Sequence, residues 1–520
     1  MKRQTICMYR YDKMVKLISN CDRNEYDIRP LVMSFFPGGN MEYSVVSHAE
    51  AERMRESAGD NQTDSVSGNT YSIYLILEDK RIRISAGGID DEVIYNTCPD
   101  SKKYRDDLKR LIYRVLSKAT GRVNRWGTLT GVRPSKIAMG YLREGMEKDN
   151  VIDIMKREYY CSDGKASLCT EVAHNELRIL DMIGYETGYS VYIGIPFCPT
   201  VCNYCSFSSI SLSGLKDSRA MMRNYLEALE KECSAIGGLY RGKKLSSIYV
   251  GGGTPTALDE ECLAWLMRII RQNFDVDHAF EFNVEAGRPD SINEGKLDIL
   301  KSAGVTRISV NPQTMKPETL KAMGRNHTTD QVREIFRLAR NKGFDNINMD
   351  LIAGLMGESA DDFKNTISAV EELNPDSFTV HSLVVKRASK YRTQCEADHM
   401  DAWDYDSNGE IVDGMLDTAA EFAKKTGYIP YYMYRQKNKS GLGSNNVLEN
   451  VGYAKRGREG IYNIVIMEEL QPILAFGAGA SSKFLYGSRI ERAANVKNVN
   501  EYISRIDEMI QRKKRCLINE

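Results

Sequence analysis

The sequence lacks any long hydrophobic run. No stretch of about 18 uninterrupted apolar residues, the length that spans a bilayer, occurs among its 520 residues. The segment that begins at Met1 also has no apolar core of the kind that a secretory signal carries. We therefore expect a cytoplasmic protein that contacts no membrane.

The sequence also lacks net charge, because 71 Lys and Arg residues balance 71 Asp and Glu residues. Overall charge thus argues neither for nor against a nucleic acid or any other partner. Low-complexity segments and short-period repeats are absent as well. A chain of this length and composition is expected to form two or three globular domains.

Two common phosphate-binding motifs are missing. The chain has neither G-x-G-x-x-G after a strand nor G-x-x-x-x-G-K-S/T, so nothing supports nucleotide phosphate binding. Its twelve cysteines do not form the dense disulfide framework of a small secreted protein. In a reducing compartment they are expected to stay free for metal binding.

Three of those cysteines form the strongest motif in the chain. Cys198, Cys202 and Cys205 fall within eight residues, directly after a short apolar run. Thiolates on one loop can hold three corners of a cubane iron–sulfur cluster. A structural zinc ion is the alternative, although it would need a fourth ligand, and no other cysteine lies between Cys169 and Cys233.

The N-terminal third reads as a small α+β domain over residues 1–187. Strands are predicted at 41–47 and 71–78, the latter in a hairpin with the segment after Lys80. A helix is predicted over 101–120 with Ser101 as N-cap, and further helices near 134–146, 150–159 and 170–185. From Lys102 to Arg125 nine cations face two acids, a net charge of +7. Such a face is either simply solvated or a surface for RNA.

The middle of the chain, residues 188–400, alternates strands with helices. Six strands are predicted, at 190–195, 246–250, 280–286, 306–310, 346–352 and 376–383. Alternation of this kind predicts a parallel sheet. Six units are too few for a closed eight-stranded barrel, so the predicted fold class is α/β with a partial (β/α)6 barrel.

In parallel α/β folds, ligands bind beyond the carboxyl ends of the strands. The first predicted strand ends in the cysteine loop, and the second ends in Gly251–Thr256, whose glycines would leave backbone N–H groups free for a ligand. The third predicted strand carries Glu285 near its end, the fourth leads to Gln313, and the fifth carries Asp350. Four such features on successive strand ends indicate one binding site.

These features together resemble the radical S-adenosylmethionine (SAM) enzymes, over about residues 188–485. Within them the chain is similar to the oxygen-independent coproporphyrinogen III dehydrogenase family. The segments at 126–137, 285–290 and 448–483 resemble its HemZ-like branch. The resemblance implies a [4Fe-4S] cluster, SAM, a 5′-deoxyadenosyl radical and the conversion of a substrate propionate to a vinyl group. It also implies an electron donor such as flavodoxin or ferredoxin.

The resemblance also assigns site residues. Cys198, Cys202 and Cys205 would ligate the cluster, and Tyr204 would lie against the adenine. Contacts to the rest of SAM would come from eight positions: Tyr192, Gly252, Gly253, Thr254, Glu285, Gln313, Arg325 and Asp350.

Two departures from the family pattern keep other functions open. Gly194 stands where many relatives have histidine, and Phe207 stands where the dehydrogenases carry a further cysteine. Phenylalanine there is shared with heme chaperones of the HemW type. A heme-binding protein is therefore the second hypothesis, and a radical SAM enzyme acting on RNA, based on the basic N-terminal face, is the third.

Residues 401–520 are predicted to be a C-terminal α/β extension of a monomeric protein, starting with a helix over 401–427. Its cations and tyrosines either bind the carboxylates and ring of a tetrapyrrole or are solvated and core residues. The apolar segment 473–483 is predicted to form a strand and a turn that close over the barrel mouth. His381, at the end of the sixth strand, either faces the active centre or is a buried core residue. The cations of this extension are Arg435, Lys437, Lys439, Lys455, Arg456 and Arg458. The segment 386–392, at the end of the sixth predicted strand, adds further cations.

Overall fold

A computed structural model gives the structure of the chain. It describes residues 14–23, 25–36, 39–60, 70–96, 98, 101–205, 207–240, 242–383, 405–435, 449–487 and 489–517. Within these ranges, no helix has both the length and the apolar character needed to cross a bilayer. The chain forms two compact units. The first comprises the described parts of 1–170, 400–410 and 435–449, and the second comprises the rest.

The first unit contains a mixed five-stranded sheet and five helices. The strands lie in the order β2–β1–β3–β4–β5, with β1 parallel to both of its neighbours and β3, β4 and β5 antiparallel. The elements are β1 (Met14–Ser19), α1 (Glu25–Met33), β2 (Asn40–Val45), α2 (His48–Asp60), β3 (Thr70–Leu77), β4 (Arg81–Ala86), β5 (Ile89–Ile94), α3 (Lys102–Thr120), α4 (Ser135–Arg143) and α5 (Lys148–Tyr159).

The core of this unit lies between the sheet and helices α1 and α3. Leu108, Leu111 and Ile112 of α3 pack against buried residues of the sheet such as Leu17 and Ile73. Ser101 caps α3, as predicted, by accepting a hydrogen bond from the N–H of Tyr104. The predicted strands β2, β3 and β4 are confirmed, while β1, which pairs with both β2 and β3, was not predicted.

The basic face of α3 is partly neutralised by ion pairs. Arg110 pairs with Asp107 and with Glu158, whose carboxylate lies 2.6 Å away, and Arg114 pairs with Asp91 at 2.8 Å. A side chain held in such a pair is less available to a phosphate than a free one. The net charge of +7 counted along the sequence therefore overstates the positive charge that this helix presents.

The second unit is built on a partial (β/α)6 barrel, which confirms the predicted fold class. Its six parallel strands follow one another in sequence order across the sheet. They are β6 (Gly188–Ile195), β9 (Lys244–Gly252), β10 (Glu281–Val284), β11 (Arg307–Ser309), β12 (Ile347–Ala353) and β13 (Ser377–Ser382). Two short strands, β7 (Phe197–Cys198) and β8 (Ile210–Ser211), pair with each other just after β6.

Helices connect the barrel strands where the sequence predicts them. Side chains of Asp259, Thr328 and Ser359 cap three of them by accepting from backbone N–H groups of the first turn. The helices are α7 (Ser218–Gly237), α8 (Glu260–Asn273), α9 (Glu294–Ser302), α10 (Pro317–Ala322), α11 (Thr329–Asn341) and α12 (Ala360–Leu373). Helix α6 (Asp163–Ile183) precedes β6.

The sheet extends beyond the barrel at both edges, to eleven strands. On one side β14 (Ile429–Arg435) and β15 (Glu449–Ala454) follow β13; on the other, β16 (Ile473–Phe476), β17 (Ser481–Tyr486) and β18 (Arg489–Ala494) follow β6. Strand β16 runs parallel to β6 in register with residues 190–193. The predicted strand at the start of 473–483 is confirmed, but the prediction that this segment closes over the barrel mouth is wrong, because it prolongs the sheet.

Four C-terminal helices complete the described chain: α13 (Tyr405–Thr426), α14 (Ile461–Glu468), α15 (Val499–Ser504) and α16 (Ile506–Leu517). Glu281 of β10 accepts hydrogen bonds from the N–H groups of Ile461 and Tyr462, which fixes the start of α14. A fully buried ion pair joins Glu232 of α7 to Lys513 of α16. These contacts attach the C-terminal segment to the barrel.

Among the described residues of the second unit, the predicted C-terminal cations do not gather at the barrel mouth. Arg435 is buried in the first unit, where its guanidinium lies 5.0 Å from the ring of Trp126. Lys455 donates a hydrogen bond to Asn374, and Arg458 forms an ion pair with Asp345. Asn374 and Asp345 each lie just before the amino end of a barrel strand. The positions of these three cations therefore do not support tetrapyrrole binding by them. Lys437, Lys439 and residues 386–392 lie outside the described residues.

The tyrosines of this region are mostly core residues. Tyr431, Tyr432 and Tyr453 are buried, and Tyr453 stacks on Phe378 with ring centres 5.0 Å apart. Gly452 leaves the space that the ring of Tyr432 occupies, since a Cβ at Gly452 would collide with that ring. The structure therefore favours the core interpretation over packing against a macrocycle.

Candidate active site

The cysteine loop leaves the barrel at the carboxyl end of β6. Pairing of β7 with β8 closes the loop at its base, and the N–H of Cys205 donates to the carbonyl of Cys202 at 3.1 Å. All three are half-buried thiols outside any disulfide. Burial raises the pKa of Cys198 to about 11; a hydrogen bond with Ser209 opposes the shift, and the charges of the other two cysteines add to it.

This loop fits an iron–sulfur cluster better than a single metal ion. Among the described residues, only His48, Glu52 and Glu78 bring three ligand atoms within 4.8 Å of one another. The sulfurs of one tetrahedral zinc site lie about 3.8 Å apart, so the three cysteine sulfurs are too widely spaced for it. A cubane takes its cysteines on separate irons, and its positive irons would compensate three neighbouring thiolates.

The glycine loop after β9 supports the cysteine loop. The N–H of Gly253 donates to the carbonyl of Ile195 at 2.7 Å, and that of Thr254 donates to the carbonyl of Phe197 at 2.8 Å. The prediction that the loop leaves its N–H groups free is wrong for these two. A Cβ at Gly253 would collide with the Phe197 carbonyl and lie 3.0 Å from Cys198 Sγ.

The neighbouring Gly252 has a backbone conformation that favours glycine. Its φ is 109°, and a Cβ there would lie 3.1 Å from the backbone of Ile195. Thr254 is buried, with its hydroxyl 3.4 Å from the carbonyl oxygen of Glu285. The glycine loop therefore lies between the cysteine loop and the strand that carries Glu285.

Glu285 follows β10 and accepts hydrogen bonds from four side chains, of which Asn283, 3.4 Å from Oε1, is the most distant. Tyr249 donates to its Oε1 at 2.7 Å, Ser309 donates to the same atom at 2.9 Å, and Asn311 lies 3.3 Å from Oε2. Burial, together with the charge of Asp350, raises the pKa of Glu285. A half-buried carboxylate of this kind can accept a hydrogen bond from a ligand hydroxyl or ammonium group.

Asp350 on β12 is the second carboxylate of the site. Asn348 and Asn311 donate to it at 2.8 and 3.0 Å, and His381 Nε2 lies 3.8 Å from it. Burial opposes its ionisation, but the hydrogen bond and charge of His381 hold the pKa of Asp350 below its usual value. Burial likewise works against a charged imidazole, yet Asp350 raises the pKa of His381. The half-buried His381 thus belongs to the site.

Gln313 extends β11 by a single bridge to β12. Its N–H donates to the carbonyl of Asp350, and its carbonyl accepts from Ile352. Its φ of 66° is the left-handed conformation, which costs a non-glycine residue about 1 kcal/mol or more. Gln313 therefore lies beside Asp350 at the carboxyl end of the barrel, and the backbone turns away from β12 at this residue.

Arg325 joins the cysteine loop to the strand ends. Its Nη2 donates to the Tyr204 hydroxyl at 3.1 Å and its Nη1 to the carbonyl of Asn311 at 2.7 Å. Its Nε is buried without a partner among the described residues. Tyr204 also packs against an apolar cluster that includes Met323 and Ile352.

Tyr192 lies in a stack of three tyrosines inside the barrel. Its ring centre is 6.1 Å from that of Tyr249 and 6.0 Å from that of Tyr462, with nearly parallel planes. Burial, aided by the charge of Glu285, raises the pKa of Tyr192 to about 12. The structure thus brings Tyr192 near Glu285, as its place in the predicted site requires.

The sequence reasoning missed two residues that organise this site. Asn311 contacts Glu285, Asp350 and Arg325, and the available signal was an Asn-Pro pair directly after a strand. Arg288 was treated only as part of a branch motif, but its Nη1 lies 3.4 Å from Cys202 Sγ. The latter contact could not be read from spacing, since 86 positions separate the two residues.

Comparisons with known proteins agree with this geometry. The profile of the Radical SAM superfamily matches residues 192–370. The oxygen-independent coproporphyrinogen-III oxidase-like protein HemZ of Bacillus subtilis (strain 168) is 39% identical over 452 residues, covering 84% of this chain and 87% of that protein. Heme chaperone HemW of the same organism is 31% identical over 61% of this chain and 76% of its own length.

A solved structure is also similar. It is that of coproporphyrinogen III oxidase (HemN) from Escherichia coli, described as a radical SAM enzyme. The TM-score is 0.48 at 24% identity, with 64% of this chain and 73% of that chain covered.

Proposed function

Because the chain belongs to the oxygen-independent coproporphyrinogen-III oxidase-like family of radical SAM proteins, we propose that it decarboxylates coproporphyrinogen III oxidatively to protoporphyrinogen IX. The superfamily uses a [4Fe-4S] cluster and SAM. The observation that carries the proposal is the continuous set of contacts from the cysteine loop through Arg325 and Asn311 to Glu285 and Asp350. It joins the cluster ligands to the carboxylates that would hold SAM.

In this proposal each part of the site has a distinct task. Cys198, Cys202 and Cys205 hold the cluster. Tyr192, Tyr204, Arg325 and the glycine-loop residues Gly252, Gly253 and Thr254 contact SAM, together with Glu285, Gln313 and Asp350. When bound, the cluster and SAM supply a 5′-deoxyadenosyl radical that takes a hydrogen atom from a substrate propionate.

The residues of the chain contribute orientation rather than reactive groups. The carboxylates of Glu285 and Asp350 are already positioned by Tyr249, Ser309 and asparagines, so binding a ligand requires little side-chain ordering. The stack of the half-buried Tyr192 and Tyr249 on the buried Tyr462 limits water near the reacting atoms. Electrons would come from a low-potential donor such as flavodoxin or ferredoxin.

A second candidate function, heme binding, is favoured by one surface feature. Phe207 directly follows the cysteine loop with 71% of its surface exposed, and exposed aromatic rings of this kind suit a flat apolar ligand. The similarity to heme chaperone HemW covers 76% of that protein. A heme carrier would use the same barrel without decarboxylating anything.

One anaerobic assay separates the two candidates. The reconstituted protein, with reductant and SAM, is given coproporphyrinogen III, and both 5′-deoxyadenosine and carbon dioxide are measured. Carbon dioxide release in step with 5′-deoxyadenosine supports decarboxylation, with Cys202→Ser as the inactive control. If 5′-deoxyadenosine forms without carbon dioxide, the substrate assignment is wrong. Saturable heme binding that Phe207→Ser abolishes would then support the carrier.

A further inference from the structure

A buried arginine contacts one of the three cluster cysteines. Arg288 is 4% exposed, and its Nη1 lies 3.4 Å from Cys202 Sγ. We propose that Arg288 is a positioning residue that raises the reduction potential of the cluster through this contact. The inference rests on the proposed cluster at Cys198, Cys202 and Cys205. It concerns a hydrogen bond that the protein itself donates to a cluster sulfur.

The arginine is fixed on the cysteine loop by further contacts. Its Nη1 also donates to the carbonyl of Thr200 at 3.1 Å, and its Nη2 donates to the Thr200 hydroxyl at 3.1 Å. Both groups lie between the first two cluster cysteines in the chain. Because a guanidinium has five donors in one plane, it can hold the loop backbone and the sulfur together.

Asp290 holds the other edge of the same guanidinium. Its carboxylate accepts from Nε at 2.8 Å and from Nη2 at 2.6 Å, the parallel geometry of a strong Arg–carboxylate pair. The Asp290 side chain is largely buried, so water screens the pair poorly. This second contact fixes the guanidinium orientation and also neutralises part of its positive charge at the cluster.

The physical effect follows from charge. Three thiolates around a [4Fe-4S] core carry one net negative charge when the core is oxidised and two after it gains one electron. A buried cation and an N–H donor at Cys202 stabilise the more negative form more strongly. Arg288 therefore favours reduction, while the carboxylate of Asp290 opposes it.

Arg325, the other arginine of the site, makes a different set of contacts. Among the described residues, its hydrogen bonds go to Tyr204 and to the carbonyl of Asn311, not to a sulfur. Replacing Arg325 would therefore change the proposed SAM site as well. Arg288 can be tested without that complication because none of its hydrogen bonds reaches Glu285 or Asp350.

The test is a redox titration of the reconstituted protein without SAM. Iron and sulfide are first counted per chain, and the reduced cluster is then followed by EPR spectroscopy while dithionite supplies one electron at a series of set potentials. The variants are Arg288→Met, Arg288→Lys and Asp290→Asn. Arg271→Met is the matched control, since Arg271 also forms a two-point pair with an aspartate, Asp277, and donates to a carbonyl, that of Ala303.

We expect shifts of opposite sign. Arg288→Met lowers the reduced-to-oxidised ratio at a fixed potential about tenfold, which for a one-electron couple equals a 59 mV lower midpoint. Asp290→Asn, which frees the arginine charge, raises the midpoint. Arg288→Lys keeps the charge and gives a smaller decrease, and the control matches the wild type.

Each contrary result has its own meaning. Wild-type protein that takes up no [4Fe-4S] cluster overturns the proposed function and this inference with it. A normal wild-type cluster whose potential is equal in all variants overturns the role of Arg288 alone. If Arg288→Met takes up no cluster, the inference is decided by Asp290→Asn: an unchanged or lower midpoint overturns it.

Discussion

Asn311 and Asp350 are joined by two reciprocal hydrogen bonds. Asn311 Nδ2 donates to Asp350 Oδ2, and the backbone N–H of Asp350 donates to Asn311 Oδ1, both at 3.0 Å. The same Nδ2 lies 3.3 Å from Glu285 Oε2. One amide thus separates two carboxylates that would otherwise repel each other, and it keeps both in place on neighbouring parts of the sheet.

Replacing this amide by a carboxylate should weaken SAM binding. Asn311→Asp preserves the size of the side chain but removes the donor and adds a negative charge beside Glu285 and Asp350. Losing a hydrogen bond to a charged group costs about 1.5–3 kcal/mol, so the Kd for SAM should rise at least tenfold. Equilibrium dialysis of the reconstituted protein measures it, with Asn273→Asp on the outer helix α8 as control. An unchanged Kd would refute the organising role of Asn311.

Asn311 also illustrates what the sequence could and could not predict. The barrel strands and the three cysteines were predictable because hydrophobic alternation and short ligand spacing are local signals. Asn311 and Arg288 act through partners many positions away, which only the folded chain brings together. The position of strand β16 was misjudged for the same reason: its apolar sequence predicts a strand, but not that this strand pairs beside β6.

The glycine loop gives a second prediction, on cluster assembly. Gly253→Ala places a methyl group against the Phe197 carbonyl and 3.0 Å from Cys198 Sγ, so the loop must shift. We expect the iron content after reconstitution to fall to less than half of the wild-type value. Gly414→Ala is the control, because a Cβ at Gly414 meets nothing within 4 Å and the residue lies in helix α13. Equal iron content in both variants would contradict the packing argument.

The buried pair of Glu232 and Lys513 predicts a stability change far from the site. Glu232 also accepts hydrogen bonds from Tyr502 and Asn495. Lys513→Met leaves the carboxylate buried without its countercharge, which costs about 3–5 kcal/mol. Adding Glu232→Gln removes the uncompensated charge and should restore much of this loss. Thermal unfolding of the wild type and the two variants tests it, and a double variant no more stable than Lys513→Met would contradict the prediction.

A buried histidine near the site predicts how stability depends on pH. Burial, together with the charge of Arg325, lowers the pKa of His327 to about 4, whereas an unfolded chain has a histidine pKa of about 6.5. Between these values the unfolded chain binds a proton that the folded protein resists. Stability should therefore fall as pH decreases from 6.5 toward 4, by up to about 1.4 kcal/mol per pH unit from this group.

The measurement compares how steeply the Tm changes with pH in variants of the protein without cofactors. The Tm is recorded from pH 7 to pH 5 for the wild type, His327→Gln and His278→Gln. Asp275 raises the pKa of His278, so losing that imidazole makes the decrease in Tm toward pH 5 steeper, and only His327→Gln should make it smaller. His278 is a suitable control because it lies on the surface beside Asp275. Parallel slopes in the wild type and His327→Gln would show that His327 gains its proton as easily in the folded protein as in the unfolded chain.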